Sequence, residues 1–96
     1  MSGIAVDPAL MSNYSRQYNA ESVKIGEVIH NMDGLRDGLE RDWQGQASQA
    51  YSQRYTELRR SFEAARDLAN EISIALQKVS DQYQDTDSSI AGALRG

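Results

Sequence analysis

Cysteine is absent from this chain of 96 residues, which excludes disulfides, thiolate catalysis and zinc–cysteine sites. Proline occurs once, at Pro8, so nothing after that point forbids a continuous helix. There is one histidine, His30, and one tryptophan, Trp43. Basic residues are the minority, ten against fourteen acidic, for a formal charge of -4 and a pI near 4.8. That balance provides no dominant basic face and argues against nucleic acid or an anionic membrane as partner. No window reaches the apolar length of a membrane span. The first eight residues, Met1 to Pro8, have neither a basic n-region nor a long apolar run, and are not expected to act as a Sec signal peptide. Hydrophobic residues make up 40%, enough for a packed protein rather than a disordered one, and the length allows a single domain.

What is present is helical periodicity, interrupted once. Asp7-Pro8 reads as a helix start, with Asp7 as cap and Pro8 at the first helical position. From there Met11, Tyr14, Tyr18, Ile25, Val28, Met32, Leu35 and Leu39 step in threes and fours, an a/d heptad whose one polar intruder is Glu21. Val23 and Ile29 add apolar surface beside the stripe. Asp33-Gly34 and Asp37-Gly38 look like turns. The heptad phase nevertheless passes through both without a slip, so one helix is expected over about residues 8–42. Trp43-Gln44-Gly45 marks a turn over about 43–46, with Gly45 free to take the left-handed conformation that closes a helix C-terminus.

The second helix, about 47–86, carries a cleaner stripe: Tyr51, Tyr55, Leu58, Phe62, Ala65, Ala69, Ile72, Leu76, Val79 and Tyr83. Charged residues such as Arg59, Arg60, Glu63, Arg66, Asp67, Glu71 and Lys78 fall off it, on the expected wet face. A polar run, Gln84 to Ser89, then leads into a small-residue stretch, and residues from about 87 to 96 read as a flexible tail. The expected fold is all-α, an antiparallel helical hairpin.

A lone hairpin covers only one side of each stripe. Ile29 on the first helix, with Leu68 and Ala75 on the second, would stay wet. A chain this small seldom holds together on so thin a core. Pairing two hairpins into a four-helix bundle buries both sides, and a two-fold homodimer is the simplest closed solution. Its core would comprise Ile25, Val28, Met32, Leu35, Leu39, Leu58, Phe62, Ile72, Leu76 and Val79.

Catalytic chemistry has no support. His30 falls at an f position opposite the stripe and reads as an ordinary solvated residue. There is no phosphate-cradling glycine loop and no metal-binding HExxH, and Asp81, Asp85 and Asp87 lack the calcium-loop ligand pattern. No enzyme, cofactor or metal is expected.

A hairpin of about one hundred residues, with Trp43-Gln44-Gly45 at its turn and Tyr83-Gln84-Asp85-Thr86-Asp87 at the end of its second helix, resembles the WXG family. These are the Esx or ESAT-six-like substrates of type VII secretion. The W-x-G falls on Trp43 and Gly45, and the C-terminal Y-x-x-x-D/E secretion motif on Tyr83 and Asp87. The likeness covers essentially the whole chain. It implies a secreted, non-enzymatic helical dimer from a Gram-positive bacterium, cytoplasmic before export and not stably inserted in a membrane. It also implies a composite signal, in which the W-x-G turn of one subunit lies near the Y-x-x-x-D tail of the other. The secretion machinery, including its membrane ATPase, reads that signal. Either a homodimer or pairing with a related partner or co-secreted toxin fits the heptads, and a virulence or co-secretion role goes with the family. The alternative from a different class is an intracellular helical adaptor or chaperone for a larger toxin-like partner.

Overall fold

The structure, a computed structural model, describes residues 6–95, with side chains described from Val6 to Gln84. It consists of α1, Pro8–Asp42, and α2, Gln46–Arg95, folded back on one another. Helix α1 starts as its sequence requires. The Asp7 carboxylate accepts from the backbone N–H groups of Ala9 and Leu10 at 2.9 and 3.3 Å, and Pro8 takes the first helical position, where its missing N–H leaves nothing unpaired. Gly34 and Gly38 lie inside the helix. Helix α1 therefore runs unbroken through both turn-like dipeptides.

At the other end, Trp43 leaves the helix in an extended conformation while its N–H still bonds the Leu39 carbonyl at 2.8 Å. Gly45, with φ +120°, then reverses the chain. Its carbonyl accepts from the Gln49 N–H at 3.3 Å and from the Ser48 hydroxyl at 2.9 Å, so this glycine opens α2 rather than closing α1. The reversal needs an extended residue before the positive-φ one, and Trp43 supplies it. Helix α2 keeps helical backbone to Arg95, beyond the point near residue 87 where the sequence suggests a flexible tail. The side chains from residue 85 onward, Asp87 among them, lie outside the described residues.

The seam between the helices is built differently from the expected a/d stripe. Most of its buried members are serines. The Ser15 hydroxyl donates to the Ser73 carbonyl at 2.7 Å, that of Ser22 to the Arg66 carbonyl at 3.0 Å, and that of Ser80 to the Pro8 carbonyl at 2.8 Å. Ser80 is fully buried, at 0% exposure. Each step of seven residues forward along α1 meets a step of seven back along α2, which is the heptad period read at the e position. Small side chains let the backbones approach, and the hydroxyls satisfy themselves on the facing helix rather than on their own.

Ile29 belongs to this same e row. At 3% exposure it is the one large apolar side chain classed as buried among the described residues. The expectation that it stays wet is therefore wrong: the helices are rotated so that e, with a and b beside it, points inward. The same rotation brings Arg59, assigned to the wet face, into the seam.

Candidate functional site

Rotating e inward pushes d outward, and this sets the character of the molecule's surface. On α1 the d-position residues Tyr14, Val28 and Leu35 are exposed, and Leu35 is 75% exposed. Tyr18, Leu39 and Leu10 are also exposed on this side. Because the helices are antiparallel, their wheels mirror each other, so the a/d edges of both fall on one broad face. Helix α2 adds exposed Leu58, Phe62 and Leu68 there. Of the expected dimer-core residues, Val28, Leu35, Leu39, Leu58 and Phe62 are exposed in the single chain, whereas Ile25, Met32, Ile72, Leu76 and Val79 are half-buried. Leu68 and Ala75 are exposed, as expected of a lone hairpin. So much large apolar surface gathered on one side is unusual for a chain that stays alone.

Toward the turn this face contains an apolar groove of about 190 Å³ lined by Met32, Tyr51, Tyr55, Leu58 and Phe62, with Arg54 and Arg59 at its edge. An ion cluster beneath it holds the helices together. The Asp33 carboxylate accepts two bonds from the Arg59 guanidinium, both at 2.9 Å, and one from the Tyr55 hydroxyl at 2.7 Å. Arg36 lies 3.8 Å from the same carboxylate and 5.1 Å from the centre of the Tyr55 ring. Arg59 also pairs with Glu63 at 3.0 Å.

The hydrogen bonds from Arg59, then that from Tyr55, hold the Asp33 carboxyl well below the usual carboxylate range, and the pairing raises Arg59 further. Burial, then the bond to Asp33, pushes the Tyr55 phenol up. All these groups therefore keep their ordinary charge at neutral pH, and the cluster acts as a clamp rather than a proton-transfer device. Sequence reading missed it because Arg59 falls off the a/d stripe of α2 and was assigned to the wet face. The usable signal was that Asp33 lies in the unbroken heptad phase.

The proposed recognition residues lie at opposite ends. At the turn, the Trp43 ring packs against Tyr51 on one side, centroids 5.7 Å apart and tilted by 47°, and is 38% exposed. Tyr51 continues the aromatic row to Tyr55 at 6.2 Å. At the open end α2 outruns α1: Ser80 already faces Pro8, and Tyr83, 43% exposed, lies past it. Along α2 from Gln46 to Tyr83 the helical rise amounts to about 55 Å. Within one chain, then, Trp43 and Gly45 are far from Tyr83, and Asp87 is outside the described side chains.

His30 is exposed on the outer side of α1, beside a shallow recess with Val23, Gly26, Glu27 and Asn31. Among the described residues no group of three His, Cys, Asp or Glu side chains is placed to hold a metal ion. Among them, too, no helix is long and apolar enough to cross a membrane.

Comparison with known proteins gives a consistent result. The family model described as proteins of 100 residues with WXG matches residues 3–88. The protein YukE of Bacillus subtilis is 27% identical over 93 residues, covering 97% of this chain and 96% of its own. An ESAT-6-like protein of Streptococcus agalactiae is 24% identical over 96 residues, covering all of both chains. Among solved structures, EsxA of Geobacillus thermodenitrificans superposes with a TM-score of 0.81 at 37% identity, over 95% of this chain and 100% of that one.

Proposed function

Because the chain belongs to the WXG100 family of small helical-hairpin Esx proteins, we propose that it is a non-enzymatic substrate of a type VII secretion system, exported as a folded dimer. The observation that carries this reading is the apolar face shared by α1 and α2, which a single chain leaves exposed. A homodimeric four-helix bundle covers it, with Ile25, Val28, Met32, Leu35 and Leu39 meeting on the α1 side and Leu58, Phe62, Ile72, Leu76 and Val79 on the α2 side.

Trp43 and Gly45 form one half of the export signal, and Tyr83 and Asp87 the other. Since about 55 Å of helix separates them in one chain, the two halves come together as a single surface only when two copies lie antiparallel, side by side. Pairing thereby couples assembly to recognition by the secretion machinery and its membrane ATPase. Outside the cell, the dimer acts as a protein-interaction module in virulence or co-secretion.

The test is export itself. Chains with Trp43→Ala, Tyr83→Ala or Asp87→Ala are expressed in a host with an intact type VII system, and culture supernatant is compared with a lysis marker. Asp87→Ala should leave thermal stability within about 0.5 kcal/mol of the parent and lower the exported fraction. Export of this variant at the parental level refutes the assignment of the C-terminal signal. Appearance of the parent chain only together with the lysis marker refutes the secretion reading and favours the intracellular adaptor.

A further inference from the structure

We propose that Tyr51 is a positioning residue for Trp43: its ring holds the indole in one orientation at the hairpin turn, so that Trp43, Gly45 and Tyr51 form one unit. The inference rests on the export reading above and names the residue that presents the turn half of that signal.

The turn does not fix the indole by itself. Residues Arg41 to Ala47 are all exposed, so no core there encloses the Trp43 side chain. Its backbone is held by the bond from its N–H to the Leu39 carbonyl at 2.8 Å, but that bond leaves the side chain free to choose among its rotamers. Among the described residues, the ring that meets the indole is Tyr51, with centroids 5.7 Å apart and planes tilted by 47°. At that separation aromatic pairs attract beyond the area they bury. A contact of this kind shifts an equilibrium between orientations by about two- to twelvefold. Trp43 stays 38% exposed, and the contact with Tyr51 decides which part of the ring that is.

Tyr51 can do this because it is itself anchored. It is half-buried in the second turn of α2, and its ring lies 6.2 Å from that of Tyr55, one turn further on. Tyr55 is fixed from α1. Its hydroxyl donates to Asp33 at 2.7 Å, and the Arg36 guanidinium lies 5.1 Å from its ring centre. A continuous path therefore runs from the clamp between the helices, through two tyrosines, to the indole. Gly45 completes it. With φ +120° it turns the chain so that the second turn of α2 comes back to Trp43, whereas a Cβ at this glycine would meet nothing within 4 Å. The glycine thus serves backbone direction rather than clearance, and that direction places Tyr51.

A partner gains from a side chain that is already ordered before binding. Apolar filler at position 51 would need bulk, whereas positioning needs a ring. Leucine supplies the first and phenylalanine the second, so the two substitutions separate the roles.

Trp43 is the sole tryptophan, so its fluorescence reports the indole alone. Tyr51→Phe and Tyr51→Leu proteins are compared with the parent at one concentration for helical circular dichroism, emission maximum and acrylamide quenching. Their export is measured in culture supernatant against a lysis marker. Tyr51→Phe should match the parent throughout. Tyr51→Leu should stay helical, shift its emission to the red, quench more strongly and lose export as Trp43→Ala does. Leu58→Ala is the control, because it perturbs the same groove two turns further along α2 and should leave the Trp43 emission unchanged. In the parent, NMR should show cross-relaxation between the indole and Tyr51 ring protons. Its absence overturns the proposal even where Tyr51→Leu fails to fold. Parental quenching in folded Tyr51→Leu protein overturns it too, as does a Leu58→Ala protein opened to the same extent. Parental export of an opened Tyr51→Leu protein, beside lost export of Trp43→Ala, overturns the positioning role and leaves the export reading standing. Parental export of Trp43→Ala overturns the export reading itself, whatever the fluorescence shows.

Discussion

Replacing Ile29 with alanine tests the rotation of the seam, because Ile29 is the large apolar side chain that one hairpin encloses by itself. At 3% exposure its side chain is almost wholly removed from water. Its row neighbours along α1, Ser22 and Arg36, are short or polar and cannot refill the space. Isoleucine-to-alanine changes at such sites cost about 2–5 kcal/mol, the transfer of the lost carbons plus the cavity they leave. A domain of this size has on the order of 5–15 kcal/mol in all. A loss near the middle of the range should lower the melting temperature by about 14–28 °C, at about 4–8 °C per kcal/mol.

The assay is thermal unfolding followed by helical circular dichroism, with parent and variant at the same micromolar concentration and again at a tenfold dilution. Leu35→Ala is the companion. Leu35 is 75% exposed in the single chain, so its loss should scarcely touch the hairpin and should act only through the proposed dimer. The deficit of Leu35→Ala should therefore shrink on dilution, as the parent loses its association too, whereas that of Ile29→Ala should be large at both concentrations. An Ile29→Ala protein that melts within about 3 °C of the parent would refute the e-row seam, and with it the account of why the d row is left facing out.

Two further outcomes follow from the seam. Ser80→Ala removes the bond to the Pro8 carbonyl and should cost about 1 kcal/mol in urea unfolding. Ser80→Leu should cost more, about 1–3 kcal/mol, because a fully buried serine leaves no room for a branched side chain. If leucine proves the more stable of the two, close helix approach is not what the serines provide. Asp33→Asn should melt below the parent at pH 7. The folded-state pKa of Asp33 is depressed, so its contribution is complete above the unfolded value of about 3.9 and is lost as pH falls through the folded one. The gap between parent and variant should therefore narrow as the pH drops below about 4. A gap that stays constant to pH 2 would show that the Asp33 charge does not clamp the helices.

Much of this molecule is legible in its sequence because helices report on themselves locally. The single proline and its capping aspartate set where α1 begins, and the unbroken heptad carried α1 correctly through Asp33-Gly34 and Asp37-Gly38 against their turn-like composition. Trp43-Gln44-Gly45 marked the reversal, although which helix Gly45 serves depended on two backbone angles that no pattern encodes. What the periodicity could not decide is which part of each stripe faces the other helix of the same chain. An a/d pattern says that two sides of a helix want cover, not which neighbour covers which.

That choice was made by steric approach. Serines at the e positions let the backbones close to hydroxyl–carbonyl contact, and the resulting rotation buried Ile29 and drew Arg59 onto Asp33. It left Tyr14, Val28, Leu35 and Leu58 outside. Serine and arginine are polar in any scale read along a chain, so a search for a core by hydrophobicity passes over them. Only when the two helices are side by side does each hydroxyl find a carbonyl and the carboxylate its guanidinium, and these pairings make polar residues the tightest part of the seam. The helices and their ends were thus local properties of the sequence. Which apolar face the hairpin leaves exposed came from the fit of one helix against the other.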